Sequence, residues 1–418
     1  MQNLKDNFDN FISMPFLLGV IDGINSFNDI CLIIDGPNCI MPRLEYIYGN
    51  HDIYSTLLSP LQEHRITYTM NDPLSGKDLE RRLLFSIEEQ LSYNKYSAIF
   101  ISPLPFQRIA RVDYLRIINS IKSDIPIIYV EPRSCDEDWI DGYVAFLESI
   151  LNYLLKINGN VKNKKNTISV LGLLFDRNEY DNIANVAEIK KILNFLDFND
   201  VYVFPSGTSF KETLKIIESE NLIVLPYLYA FSDLVLKKYK ANVFNLKLPF
   251  GINNSLRWGS VLRKGKNISK LNQLAIDSMS RVLPVLNNLA GKNALYFGEP
   301  FMLDSIADFL NELNISIKGA FLNTGFKKGI NIQEFKYVFF NPSLNRIKNI
   351  IKNIKSEDDI SFFIGNCFIK SLDIMGDSAF LEFGFPSYSN HSIYNQPYLG
   401  FDGFVNFTDK IFNTIIRS

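Results

Sequence analysis

Short apolar runs that end in a Gly or Pro turn, each followed by a longer amphipathic stretch, recur along nearly the whole chain. This alternation limits the available folds more than any other feature. Ile30-Cys-Leu-Ile-Ile34 stops at Asp35-Gly36-Pro37, Ala98-Ile-Phe-Ile101 at Ser102-Pro103, and Ile127-Ile-Tyr-Val130 at Glu131-Pro132. Helical patterns follow around Arg108–Ile121 and from Trp139 to Leu155. Continuous apolar runs of this length read as strands buried on both faces, and their alternation with helices makes the sheet parallel.

The polar stretch Asn158-Gly-Asn-Val-Lys-Asn-Lys-Lys-Asn166 reads as a connection, with Lys162, Lys164 and Lys165 as a solvated run. The alternation then restarts: strands at Ile168–Leu174, Val201–Phe204, Leu222–Leu225 and Val243–Leu246, helices near Val186–Leu196, Phe210–Ser219 and Phe231–Tyr239. A long amphipathic segment near Leu271–Leu289 leads to a third series. It opens with Ala294–Phe297, Gly298-Glu-Pro300 and a helix near Met302–Leu313; strands follow at Tyr337–Phe340, Phe362–Ile364 and Phe380–Phe383. The expected fold class is therefore α/β: three Rossmann-like domains with mainly parallel sheets around a shared cleft, spanning residues 1–160, 161–265 and 266–418.

The 418 residues are 47% apolar and 21% charged, with 43 Lys+Arg against 45 Asp+Glu. That balance excludes intrinsic disorder and gives no global attraction to nucleic acid or an acidic membrane. No run reaches the eighteen or so apolar residues that span a bilayer, and residues 1–9 lack a secretory pattern. The expected location is cytoplasmic. Four scattered cysteines (Cys31, Cys39, Cys135, Cys367) and three histidines (His51, His64, His391) argue against a self-contained zinc site. Neither Gly-x-Gly-x-x-Gly nor Gly-x-x-x-x-Gly-Lys-Ser/Thr occurs, so no nucleotide is expected to bind directly. No Gly-x-Ser-x-Gly turn or His-Glu-x-x-His helix is present either.

Four segments resemble the nitrogenase component 1 family, which includes the light-independent protochlorophyllide reductase subunits. They are Asp35-Gly36-Pro37-Asn38-Cys39 with the approach Leu17–Gly23; Ile168–Lys247 with Glu188-Ile189-Lys190 and Ser206-Gly207-Thr208-Ser209; Phe383-Gly384-Phe385-Pro386; and Pro397-Tyr-Leu-Gly400-Phe-Asp-Gly403. The resemblance implies paired homologous subunits, an iron–sulfur cluster at their interface, and electrons from a separate ATP-dependent iron–sulfur protein. It also implies a small-molecule substrate between the domains, while the charge balance and the lack of a long apolar run give the expectation of no nucleic-acid or membrane partner.

The departures from the family pattern matter as much. Cys39 matches the first of three family cysteines. The second is absent between Ile53 and Asn71, and Ser102-Pro-Leu-Pro-Phe106 stands where the third belongs. One thiolate cannot hold a cubane, whose irons need about four protein ligands. Cys39 is then either a single ligand to a cluster shared with a partner subunit, or a small packed residue in a chain that has lost the cluster. Asp35 replaces the family's histidine, as a cofactor-binding oxygen or a turn former. Cys31 reads as core, and acidic neighbours work against a reactive Cys135.

His391 in Pro386-Ser-Tyr-Ser-Asn-His391 lies near the position of the family's cofactor-binding histidine and is the catalytic candidate. The cysteine paired with it is absent near Leu225-Pro226-Tyr227. Arg108, with Arg111 one turn on, and Cys367 are further substrate-pocket candidates. His51 and His64 read as loop residues. The leading expectation is a component-1-like subunit of a nitrogenase-like reductase, hetero- or homo-oligomeric. A cluster-free scaffold or assembly protein of the same family, or a non-redox enzyme using the cleft, are the alternatives.

Overall fold

The computed structural model describes residues 14–55, 65–72, 78–157, 163–232, 239–263, 268–325, 335–372 and 374–417. In the first unit α1 (Phe16–Asn25) leads into β1 (Ile30–Asp35), α2 (Met41–His51), β2 (Ile66–Tyr68), α3 (Leu79–Ser92), β3 (Ala98–Pro103), α4 (Tyr114–Ser120), β4 (Ile127–Tyr129) and α5 (Trp139–Ile157). Its sheet is parallel, in the order β2-β1-β3-β4. The second unit runs β5 (Lys164–Leu171), α6 (Tyr180–Phe195), β6 (Asp200–Phe204), β7 (Ser219–Val224), β8 (Asn242–Asn245) and α7 (Gly251–Arg263), its sheet ordered β6-β5-β7-β8. After α8 (Ile268–Val282), the third unit holds β9 (Asn293–Gly298), α9 (Pro300–Glu312), β10 (Ser316–Leu322), β11 (Val338–Phe340), α10 (Leu344–Glu357), β12 (Phe362–Gly365), β13 (Ala379–Glu382) and α11 (Gly400–Ile416). Its order is β11-β10-β9-β12-β13, again all parallel. The α/β class with parallel sheets is as expected.

In each sheet the first strand in sequence lies inside, with the next strand on one side and the last two on the other. The chain reverses its winding beside β1, β5 and β9, so the crevice outside their carboxyl ends is where such sheets take ligands. β1 is buried along all six residues, which suits a strand covered on both faces.

Helix α1 is buried throughout, and two glycines explain how it packs. A Cβ on Gly19 would lie 1.6 Å from the Trp139 carbonyl oxygen, and one on Gly142 would lie 1.9 Å from that of Phe16. Only glycine lets α1 and α5 approach backbone to backbone. The cores do not stop at the unit boundaries. One cluster joins α1 and α5 to Leu171, Phe204 and Phe385, and a second joins β5 and α6 to β9 and α11. α11 packs on α6, α7, α8 and β13, linking the second and third units.

Several local expectations are corrected. Lys164–Asn166 belong to β5 rather than to a connection, and Lys164 pairs with Glu218 at 2.5 Å; Lys162 lies outside the described residues. β5 ends at Leu171 because Gly172 turns the chain with φ +86°. The helix expected at 210–219 is a 3-10 turn, Phe210–Thr213, and a short helix, Leu214–Glu218, cut off where β7 begins. His51 is no loop residue: it closes α2 and is buried. His64 lies outside the described residues. Among the described residues, no helix is long and apolar enough to cross a membrane.

Candidate functional site at the meeting of the three sheets

The loops after β5 and β9, the end of α2 and the loop 383–398 converge on one polar centre. From the first unit come Asp22 and Asn25 on α1, His51 at the end of α2, and Asp52. The second unit supplies Asp176-Arg-Asn-Glu179 and the start of α6, and the third supplies Glu299 and the segment from Phe385 to Tyr398.

His51 ties all three together. Its Nδ1 accepts the Ser387 N–H at 3.0 Å, which places the ring proton on Nε2, 3.5 Å from Asp176 Oδ2. The ring stands edge-on to Phe385, centroids 4.8 Å apart. Asp176 Oδ1 accepts from Asn182 Nδ2 at 2.6 Å, and Asn182 Oδ1 accepts the Tyr398 hydroxyl at 3.1 Å. Asp52 bridges units too, accepting Asn25 Nδ2 at 2.8 Å and the Asn178 N–H at 3.0 Å.

Beside this chain, Arg177 donates to Asp181 and to the Asn390 carbonyl at 2.9 Å, and lies 3.5 Å from Glu179 Oε2. Glu179 accepts from His391 Nδ1 at 2.7 Å, the Ser392 N–H at 2.7 Å and the Ile53 N–H at 3.3 Å. A buried carboxylate thus gathers residues from the first and third units and fixes the His391 ring with its proton on Nδ1.

Burial governs the protonation of the acids. Burial would raise Asp176, but His51, Arg177 and Asn182 together hold it below the usual carboxylate range. Asp22 is pushed well above it by burial, against the Tyr48 hydrogen bond, with Asp176 and Asp52 adding to the rise. Its Oδ1 accepts from Tyr48, and among the described residues its Oδ2 has no hydrogen-bond partner. Burial lifts Glu299 to about 8 although it caps α9, accepting the N–H groups of Phe301 and Met302 at 2.6 and 2.5 Å. The centre is therefore a set of acids whose proton affinities are pushed in opposite directions, a pattern that suits proton handling as well as structure. The cavity among Asp176, Glu299, Tyr296 and Tyr398 holds about 30 Å³. That is room for one or two waters.

The residues singled out in the sequence are dispersed. His391 sits at the rim of this centre, half-buried. Asp35 is buried at the end of β1 and accepts from Thr69 at 2.6 Å, Asn71 at 2.7 Å and Tyr114 at 2.6 Å, so protein donors occupy both its oxygens. Cys39 is exposed in the turn leading to α2. Cys367 is half-buried after β12, its thiol pushed up to about 12 by burial and the nearby Glu382. The backbone of Arg108 lies in the 3-10 turn Pro105–Ala110; its side chain is outside the described residues.

Sequence reasoning missed His51, Asp176, Arg177, Glu179 and Glu299. A legible signal existed for some of them. Asp176-Arg-Asn-Glu179 is a charged run directly after a buried strand, and Asp22 interrupts an otherwise apolar helix.

Residues 18–416 match the family model for nitrogenase component 1 type oxidoreductases, and the chain belongs to that family. The nitrogenase molybdenum-iron protein beta chain of Nostoc sp. is 22% identical over 333 residues, covering 71% of this chain and 62% of that one. The chain's match thus spans about three fifths of that relative's length. The beta chains of Methanothermobacter marburgensis and Clostridium pasteurianum are 22% and 23% identical, covering 75% and 71% of this chain and 72% and 69% of theirs. A solved structure of nitrogenase Cp1 at pH 6.5 superposes with a TM-score of 0.78 at 16% identity, covering 97% of this chain and 92% of that one, which establishes the shared fold.

Proposed function

We propose that this chain is a component-1-like subunit of a nitrogenase-like reductase, paired with a homologous subunit and supplied with electrons by an ATP-dependent iron–sulfur protein. The observation that carries the reading is Cys39, exposed in the turn after the central strand of the first sheet, in a chain of this family. A small-molecule substrate would enter the cleft between the units, with His391, Arg108 and Cys367 as the residues to meet it.

The described residues do not fit a cluster held by this chain alone. No three His, Cys, Asp or Glu side chains among them converge as a metal site. Cys31 is buried in β1, its thiol lifted to about 12 by burial. This chain's contribution is then one thiolate, Cys39, offered to a cluster seated mainly on the partner; such a cluster supplies single-electron transfer. The chain's own chemistry is protonic: His391, fixed by Glu179, handles protons at the rim of the centre.

A second reading, the cluster-free scaffold, is favoured by one observation. The centre where the three sheets meet is filled by side chains and leaves about 30 Å³. The test is anaerobic co-purification with the homologous subunit, with iron and acid-labile sulfide assayed in the complex and in this chain alone. The reductase reading expects iron in the complex, little in the isolated chain, and its loss with Cys39→Ala. A metal-free complex that Cys39→Ala leaves unchanged overturns it in favour of the scaffold.

A further inference from the structure

The edge strand β13 and the C-terminal half of α11 enclose an open groove of about 580 Å³. That is within the range of small-molecule sites, roughly 300–1,000 Å³. Its helical wall is Lys410, Asn413, Thr414 and Arg417, the spacing that brings residues to one face of a helix.

The charges in the groove are unevenly committed. Of its two carboxylates, Glu382 has Oε1 taken by the Ser387 hydroxyl at 2.8 Å and the N–H groups of Tyr388 and Ser389 at 2.6 and 2.7 Å. Asp409 is exposed. Among the described residues, neither Lys410 nor Arg417 forms an ion pair. Lys410 is half-buried, and burial pushes its ammonium below the usual lysine range. Asp181 opposes that shift, while Arg177 adds to it. Asp181 is itself bound to Arg177.

A half-buried ammonium that forms no ion pair among the described residues, on the wall of a concave site, favours an anionic group that restores the lost solvation. Lys410 and Asn390 also line the enclosed cavity beside Asp176 and Glu299. These two residues therefore stand between the groove and the polar centre.

We propose that the groove between β13 and α11 binds a small metabolite through a carboxylate or phosphate group, with the Lys410 ammonium as its counter-ion and Arg417 as a second, outer contact. The ligand's body would lie along β13. This site does not depend on any cluster, and its test needs no redox partner.

The experiment is calorimetric titration of the full chain with succinate, with inorganic phosphate, and with succinamide as an uncharged mimic. Saturable binding of one anion at one equivalent is expected, and no heat from succinamide. Whether succinate or phosphate binds decides between a carboxylate and a phosphate ligand. Lys410→Met should weaken the binding about tenfold or more, Lys410→Arg should retain most of it, and the exposed Arg417→Gln should weaken it less. Lys352→Met, on a separate groove of α10, should leave it unchanged. Failure of both anions to saturate, or equal affinity in a folded Lys410→Met protein and the wild type, overturns the proposal. If Lys410→Met does not fold, unchanged affinity in Arg417→Gln together with loss in Lys352→Met overturns it.

Discussion

His51 Nε2 and Asp176 Oδ2 face each other at 3.5 Å although one closes a helix of the first sheet and the other follows the central strand of the second. Because Ser387 of the third unit donates to the other ring nitrogen, one imidazole registers all three units. The folded Asp176 carboxyl is held below its ordinary value, so its stabilising contribution is fully present above the unfolded value of about 3.9 and is lost as pH falls through the folded value. Asp176→Asn should therefore destabilise by about 1–3 kcal/mol near neutrality. The deficit should shrink below about pH 4. Urea denaturation at the two pH values measures both, and an unchanged deficit at low pH would refute the assignment.

Glu299 behaves in the opposite sense. Its folded value, about 8, lies above the unfolded one, so its contribution to stability is full at acid pH and declines as pH rises toward 8. Glu299→Gln should flatten the fall in thermal midpoint between about pH 5 and 8. A Gln variant with the wild-type pH profile would show that another group is responsible.

Arg177 neutralises a crowded set of buried acids. Arg177→Met leaves Asp181 and Glu179 without their guanidinium and should cost about 3–5 kcal/mol. Replacing Asp181 by Asn in the same protein should recover part of that loss, because the charge left behind is removed. A double variant less stable than the single one would argue against this account.

The cysteines should separate by labelling rate. Exposed Cys39 and Cys135 should react with a thiol reagent in the native protein, Cys367 slowly, and Cys31 only on unfolding. Mass spectrometry of the labelled peptides gives the order, and early modification of Cys31 would contradict its burial in β1.

The architecture was legible because parallel strands leave continuous apolar runs, and β1, β3, β9 and β12 all carry them. β10 was not, since Ser316-Ile-Lys-Gly begins half-exposed and breaks the run. α2, whose face carries Tyr46 to solvent and Tyr48 to the core, has too mixed a pattern to announce itself, and so His51 passed for a loop residue. The polar centre was harder still. Its members lie far apart in sequence, and an isolated Asp or Glu after a strand looks like any turn residue. Of its polar side chains only His391 carries a functional expectation from the sequence, through the family resemblance; its partner Glu179 carries none.

Helix α11 has a consequence for how the protein is made. It is the last element described, yet it walls the middle unit, resting Phe407 and Ile411 in the same core as Ile189 and Leu193 of α6. During synthesis the middle sheet waits with one flank uncovered until α11 has been made. Ribosome-bound chains stopped before α11 would present that bare flank to chaperones, so completion of the second unit is timed by the synthesis of α11 and not by its own sequence.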